Sequence, residues 1–315
     1  MTDSHRTGTI DHFLDKSHGK FGFGADTPPA LRIAPGTGET IGFETSDAVY
    51  EQLHQHHDME KLTVGINPVT GPVYVEGAEP GDALVVTIHE IRLKEHGWSV
   101  SIPGTGALRR VMGDTVFTRQ IPIDADGVHV TERHVFDARP MIGCIGTAPA
   151  ERVNSTIMPS YPQGGNMDLT ECRPGSRVYL PVMVPGAYLS IGDIHALMAE
   201  GESSFVAIEA EGTAVVSIDL VKNMPLRAPR VETADEWIFV GLGDPVQESI
   251  TRGYEDMFAF LTGQHGWDLG DAYSVMSAVG HTRLGGPTGS GEPDPLHPFA
   301  AVGAVTIHRL PKNVL

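Results

Sequence analysis

The stretch PVYVEGAEPGDALVVTIHEIRL, residues 72–93, decides the fold. PVYVEG is a short apolar run. AEPGD carries the Pro and Gly of a turn, and ALVVTIHEIRL is a second run rich in Val and Ile. β-Branched runs flanking a Pro/Gly turn read as neighbouring strands. The same pattern recurs on both sides: ALRIAP (30–35), GETIGFET (38–45), SRVYLPVMV (176–184), SFVAIEAEG (204–212) and TAVVSIDLV (213–221). The chain of 315 residues is punctuated by 37 glycines and 23 prolines, with no repeat. Short strands separated by turns predict a mainly β body, a sandwich or barrel, and not alternating βαβ units.

One region breaks the pattern. After GLGDPVQ (241–247), the residues Val246, Ile250, Tyr254, Met257, Phe258 and Leu261 share a helical face. Asp244 is the expected N-cap, with Pro245 first in the helix and Gln247 completing a capping-box-like spacing. A second helix is expected over 269–279, capped by Asp268, with Leu269, Ala272, Tyr273, Met276 and Val279 turned inward. GGPTGSGEPDPLHP (285–298) is a loop by composition. The expected organisation is one domain over 1–315. It has a β-rich body at about 28–243, a helical hairpin at about 244–280 and a C-terminal tail strand, α+β overall.

Forty acidic residues against 22 basic ones give a net charge of −18. That balance argues against nucleic acid or an anionic membrane as partner, because phosphate contacts need clustered cations. Two cysteines, Cys144 and Cys172, are too few for a disulfide framework and lack zinc-type spacing. With a polar N-terminus and no apolar run of about 20 residues, they set the expectation of a soluble, cytoplasmic protein. No nucleotide-binding glycine loop and no G-x-S-x-G elbow is present.

The densest chemistry lies in VPGAYLSIGDIHALMAEGES (184–203). If Leu189–Ile191 end a strand, Asp193 and His195 lie on one side of an extended chain and suit a divalent ion. Glu202 could then return to the same region. The plainer alternative is a turn in which Asp193 caps a short helix while Glu200 and Glu202 are solvated. In YPQGGNMDLTECRPGS (161–176), Gly164 and Gly165 permit close backbone approach, and Asn166 and Asp168 offer an amide and a carboxylate; an ordinary Gly-Asn turn is the alternative. Glu76 closes an apolar run, where a carboxyl with a raised pKa could act as a base. Asp47 follows a strand-like segment and is either a ligand or a turn former. The His-rich HQHHDME (54–60) reads as a solvated loop. Cys144 reads as a small buried side chain, with a thiol nucleophile as its alternative.

Taken in order, PPALRIAPGTGETIGFETSDA (28–48), NPVTGPVYVEGAEPGD (67–82), IGCIGTAPA (142–150), GGNMD (164–168) and LPVMVPGAYLSIGDIHALMAEGE (180–202) resemble the acetamidase/formamidase family. A weaker likeness continues through RGYEDMFAFLTGQHGWDLGDAYSVMSAVG (252–280). The resemblance implies a CUB-like β-sandwich core with appended helices, hydrolysis of short aliphatic amides, and a divalent ion. Zinc is the expectation and Ca2+ the alternative. Asp47, Asp168, Asp193 and His195 are carried over as metal-region residues, and Glu76 and Glu202 as candidate catalytic bases. The backbone of Gly164, Gly165 and Asn166 is the candidate oxyanion site. A homodimer is expected from the resemblance and from symmetry. The chain departs from the family's pattern at MAEGE (198–202), at His281 and across 54–66. Two rivals stand beside the metal-assisted amidase: a cysteine-dependent amidase using Cys144, and a β-sandwich that binds a small ligand without turnover.

Overall fold

The computed structural model describes residues 9–157, 161–286 and 304–315. Labelled in chain order, the elements that build the body and the site begin with β1 (Thr40–Glu44), α1 (Ala48–His56), β2 (Val69–Val75) and β3 (Ala83–Ser101). They continue with β4 (Met141–Gly146), β5 (Gly164–Asn166), β6 (Arg177–Pro181), β7 (Leu189–Leu197) and β8 (Ile208–Val221). The last are β9 (Arg230–Glu232), β10 (Glu236–Gly243), α2 (Val246–Ala259), α3 (Leu269–Val279), β11 (His281–Gly285) and β12 (Ala304–Pro311). Most of the quoted 285–298 loop lies outside the described residues.

The opening stretch forms β2 and β3, as its Val/Ile runs require. They are neighbours in sequence but do not pair; β3 is the spine of the body instead. It runs antiparallel to β8 from Ala83 opposite Val221 to Trp98 opposite Glu209. On its other flank it pairs with β6, and the ladder continues through β9, β10, β12 and β11. β8 also pairs with β1. A second group, β5–β4–β7–β2, joins the first where β7 meets β8, with His195 opposite Glu209.

Both groups turn their apolar alternation toward one core. Phe43, Val73, Leu84, Ile88, Ile142, Leu180, Ile191, Val216 and Ile307 all belong to it. Each fully buried side chain of this kind is worth about 1.5–3 kcal/mol. The shared core therefore holds the two groups together more than the single β7–β8 junction does. The mainly β body with few helices is the architecture the strand runs implied.

The helical hairpin is present with a rotated face. On α2 the buried residues are Ser249, Gly253, Asp256 and Met257, followed by Phe260 and Leu261. Apolar periodicity missed Ser249 and Asp256 because both are polar with buried partners. The Ser249 hydroxyl donates to Gly241 O at 2.8 Å, and Asp256 accepts from Arg230. Asp244 is not the cap: Pro245 is extended, occupies the cap position and makes no side-chain cap bond. Asp268 does cap α3, accepting from the Gly270 and Asp271 N–H groups. The inward stripe of α3 is narrower than expected. Ala272 is buried, while Leu269 and Tyr273 are exposed at the rim of the hairpin.

The His-rich stretch is not a loop throughout. α1 extends to His56 and closes on a left-handed His57. His54, His56 and His57 are nevertheless exposed, as their polarity suggested. Among the described residues no helix is long and apolar enough to cross a membrane.

Candidate metal centre

The site forms where β7 crosses to β8. Asp193 sits mid-strand with a left-handed backbone, φ 59°. The β4–β7 ladder lapses there, between Ile142 opposite Ile194 and Cys144 opposite Gly192. Simple alternation would place Asp193 and His195 side by side on a flat strand. The kink does more, bringing Asp193 Oδ1 to 3.2 Å from His195 Nε2. Cross-strand pairing then adds Glu209, whose Oε1 is 3.3 Å from the same nitrogen.

Two further carboxylates arrive from turns. Asp168 follows β5 with φ 45°, and its N–H donates to Gly143 O at 3.1 Å. Its Oδ1 stands 3.9 Å from His195 Nε2. Glu202 closes a turn on Ala199 with φ 36°, and its Oε1 stands 4.0 Å from Nε2. Gly143 makes room for the pair of aspartates. A Cβ there would collide with Asp193 Oδ2 and Asp168 Oδ1. Left-handed non-glycine residues are costly and tend to gather at functional sites; here three of them are acids around one imidazole.

All five groups are buried or nearly so. Two overlapping sets, Asp168/Asp193/His195 and His195/Glu202/Glu209, each hold their ligand atoms within 4.8 Å of one another. Burial, then the charges of Glu202 and Asp193, pushes the Asp168 carboxyl well above its ordinary range. Burial also drives Glu202 well up, and raises Glu209 to about 7. Asp193 stays below its ordinary value: burial opposes this, but the charge and hydrogen bond of His195 prevail. The His195 imidazole is driven well up, with the Glu209 and Asp193 charges overcoming its burial. The protein alone thus balances this pocket only by holding protons in it.

A cation fits the same residues. Both Asp168 oxygens and His195 Nδ1 are buried without a hydrogen-bond partner among the described residues. An imidazole with carboxylates is a donor set for zinc and similar divalent ions. A cavity of about 20 Å³ adjoins the cluster, lined by Tyr50, Asn67, Asn166, Asp168, Asp193, Glu202 and Glu209, among others. Outside it, a cleft of about 440 Å³ lined by Phe136, Leu197, Met198 and Ile208 reaches Glu202 and Val206, which border the inner cavity too.

Of the residues singled out in the sequence, the fold brings Asp168, Asp193, His195 and Glu202 together. Asp47 is buried nearby, beside Asp193 and Glu209 on a second small cavity, and accepts from Trp98 Nε1–H at 2.5 Å. Glu76 is not brought in. Val75 points into the core, so the next side chain points out, and Glu76 meets Arg32 at 3.4 Å on the surface. Gly164–Asn166 is a strand and not an open turn. Gly164 N–H donates to Tyr161 O at 2.9 Å, and the Asn166 side chain is held by Ile157 O and Asn67. His281 is exposed on β11, opposite Arg309.

Cys144 is fully buried, and its thiol is pushed well up by burial and then by Asp193 and Asp168. A nucleophilic thiolate needs the opposite environment. Sequence reading missed Glu209, Tyr50, Asn67 and Gly143. An acid set into the apolar run of SFVAIEAEG was the only signal for Glu209.

The chain matches the acetamidase/formamidase family over residues 12–158 and 150–279. A provisionally named formamidase of Schizosaccharomyces pombe is 29% identical over 59% of this chain and 60% of its own length. An acetamidase of Mycolicibacterium smegmatis is 28% identical over 69% of this chain and 72% of its own. The chain therefore spans about three fifths of the fungal relative. The crystal structure of an acetamidase from Yersinia enterocolitica superposes with a TM-score of 0.83 at 29% identity, covering 98% of this chain and 94% of that one.

Proposed function

The chain belongs to the acetamidase/formamidase family, and from that premise we propose that it hydrolyses short aliphatic amides, of the formamide and acetamide type, to the carboxylic acid and ammonia. The observation that carries this reading is the convergence of four buried carboxylates on one imidazole beside a small cavity. Asp168, Asp193 and His195 are the residues to hold a divalent ion, with Glu209 beside the same imidazole nitrogen. We read the ion as zinc, because an imidazole belongs to its usual donor set; Ca2+ prefers oxygen alone. When bound, such an ion supplies Lewis acidity, which polarises a carbonyl and acidifies water at neutral pH.

The side chains supply the rest. Glu202 borders both the inner cavity and the outer cleft, so it faces the space between the ion-binding residues and solvent. It is the group to take a proton from water as the C–O bond forms and to deliver it to nitrogen as the C–N bond breaks. An unprotonated amide nitrogen is a poor leaving group, so the C–N bond breaks only with this transfer. Tyr50 and Asn67 line the inner cavity, which has room for a water beside the cluster. Asp47 stands behind Asp193, and the Gly164–Asn166 strand backs the cavity through Asn166. Two reduced cysteines support a cytoplasmic location, and symmetry favours a homodimer.

The test is ammonia release from formamide and acetamide by purified protein, together with its metal content. We expect turnover that chelation abolishes and zinc restores. Chelator-resistant turnover would overturn the metal assignment. Tight amide binding without ammonia would favour the non-catalytic reading.

A further inference from the structure

Asp168 and Glu202 have left-handed backbones, a conformation that costs about 1–3 kcal/mol per residue and persists only where the surroundings fix it. They lie on separate segments, and each segment carries a second acid close by: Glu171 beyond Asp168, and Glu200 just before Glu202. Both of these acids meet the same side chain. Arg309, on β12, has Nη1 at 2.8 Å from Glu171 Oε1 and 3.5 Å from Glu200 Oε1. Its Nε donates to Glu236 Oε2 on β10 at 2.9 Å, which fixes the guanidinium against the body. Arg283, on the adjoining strand β11, grips Glu200 as well. Glu171 is almost fully buried and Arg309 largely so.

We infer that Arg309 is a positioning residue that holds the Asp168 and Glu202 segments in register from behind the metal centre. It is not among the residues lining the inner cavity or the outer cleft, and it acts only through Glu171 and Glu200. Serving three carboxylates on different elements needs the planar fork of a guanidinium; the point charge of a lysine would serve fewer. The role rests on the metal-centre reading above.

The experiment compares wild type with Arg309→Lys and Arg309→Gln. Arg230→Lys is the control, since it weakens a buried ion pair between β9 and α2 that touches neither segment. Zinc affinity is read by competition with a chromogenic chelator, and backbone hydrogen exchange is read over 168–172 and 199–202. We expect the Arg309 variants to lose about 10–100-fold in zinc affinity, the usual cost of removing an outer support. Both segments should exchange faster than global destabilisation explains. Arg230→Lys should lower the unfolding temperature and leave zinc affinity unchanged.

Unchanged affinity and protection in the Arg309 variants would overturn the role, as would an equal loss of affinity in Arg230→Lys. If wild type takes up no divalent ion, the metal reading falls and the exchange measurement alone decides: faster exchange at both segments supports the clamp, and unchanged exchange overturns it. Should both Arg309 variants fail to fold, Glu200→Gln, at a part-exposed position, releases one arm only. It should speed exchange at 199–202 and not at 168–172, and the opposite pattern or no change counts against the clamp.

Discussion

Two regions of this molecule bury charge, and they do it differently. Between β9 and α2, Arg230 donates twice to Asp256, at 2.9 and 2.8 Å, with the guanidinium over the rings of Phe239 and Phe260. One positive group meets one negative group in bidentate geometry, which leaves Arg230 Nη1 buried without a hydrogen-bond partner among the described residues but balances the charge. At the β7–β8 crossing, four carboxylates face one imidazole. Burying unpaired charge costs several kcal/mol per ion. Strained backbones and strongly perturbed acids of this kind gather at functional sites. A matched pair is architecture; an unmatched cluster marks a site.

The largest effect that tests this contrast is on activity. His195→Ala should lower kcat/KM for acetamide about 10⁴-fold, or about 5 kcal/mol of transition-state stabilisation. Asp168→Asn should also lose most activity, yet the metal-free variant should unfold at the same or a higher temperature, since a repelling carboxylate is gone. Loss of stability with activity intact would put the cluster in the same class as the Arg230 pair. Asp256→Ala should do the reverse. It strands Arg230 and should cost about 4 kcal/mol in denaturant unfolding, while the folded enzyme keeps its kcat/KM. A smaller effect is expected from Gly143→Ala, whose Cβ would push Asp168 and Asp193 apart. We expect about a 100-fold fall in kcat/KM, near 2.7 kcal/mol, with zinc affinity falling in step. Normal activity in that variant would show that the two aspartates need not stay so close.

The contrast also explains what the sequence could disclose. Strand runs and the α3 cap rest on local chemistry, so period-2 alternation and Asp268 sufficed to place them. Asp193 and His195 were legible because they are neighbours. Glu209 was not, since it reaches His195 only through β7–β8 register, fourteen residues downstream in the chain. Gly143 was invisible for a related reason: its role is the space it leaves between two side chains from other segments. Glu76 shows the converse, a carboxylate in suggestive company whose strand parity turns it to solvent. The buried face of α2 was misjudged because a satisfied Ser249 and a paired Asp256 look like surface residues until their partners are known.

The smallest expected effect concerns a third way of burying a titratable group, as a neutral base. His308 on β12 is fully buried, with Nδ1 at 3.0 Å from Thr282 Oγ1 and Nε2 at 2.9 Å from Thr306 Oγ1. No acid is among these partners, and burial lowers the imidazole's pKa from 6.5 to about 4. The unfolded chain takes up this proton near pH 6.5 and the folded chain only near pH 4. Stability from this group is therefore complete above pH 6.5 and is lost as pH falls toward 4, by about 2 kcal/mol at pH 5. His308→Asn should flatten that part of the stability curve relative to wild type, in denaturant unfolding at pH 7 and pH 5. Asp168, Glu202 and Glu209 of the cluster work with the opposite sign. Their raised pKa values mean the metal-free fold binds protons more tightly than the unfolded chain does, and it gains stability as pH falls. Equal slopes in wild type and His308→Asn would mean that this imidazole is charged inside the fold, leaving a buried cation without a counter-ion.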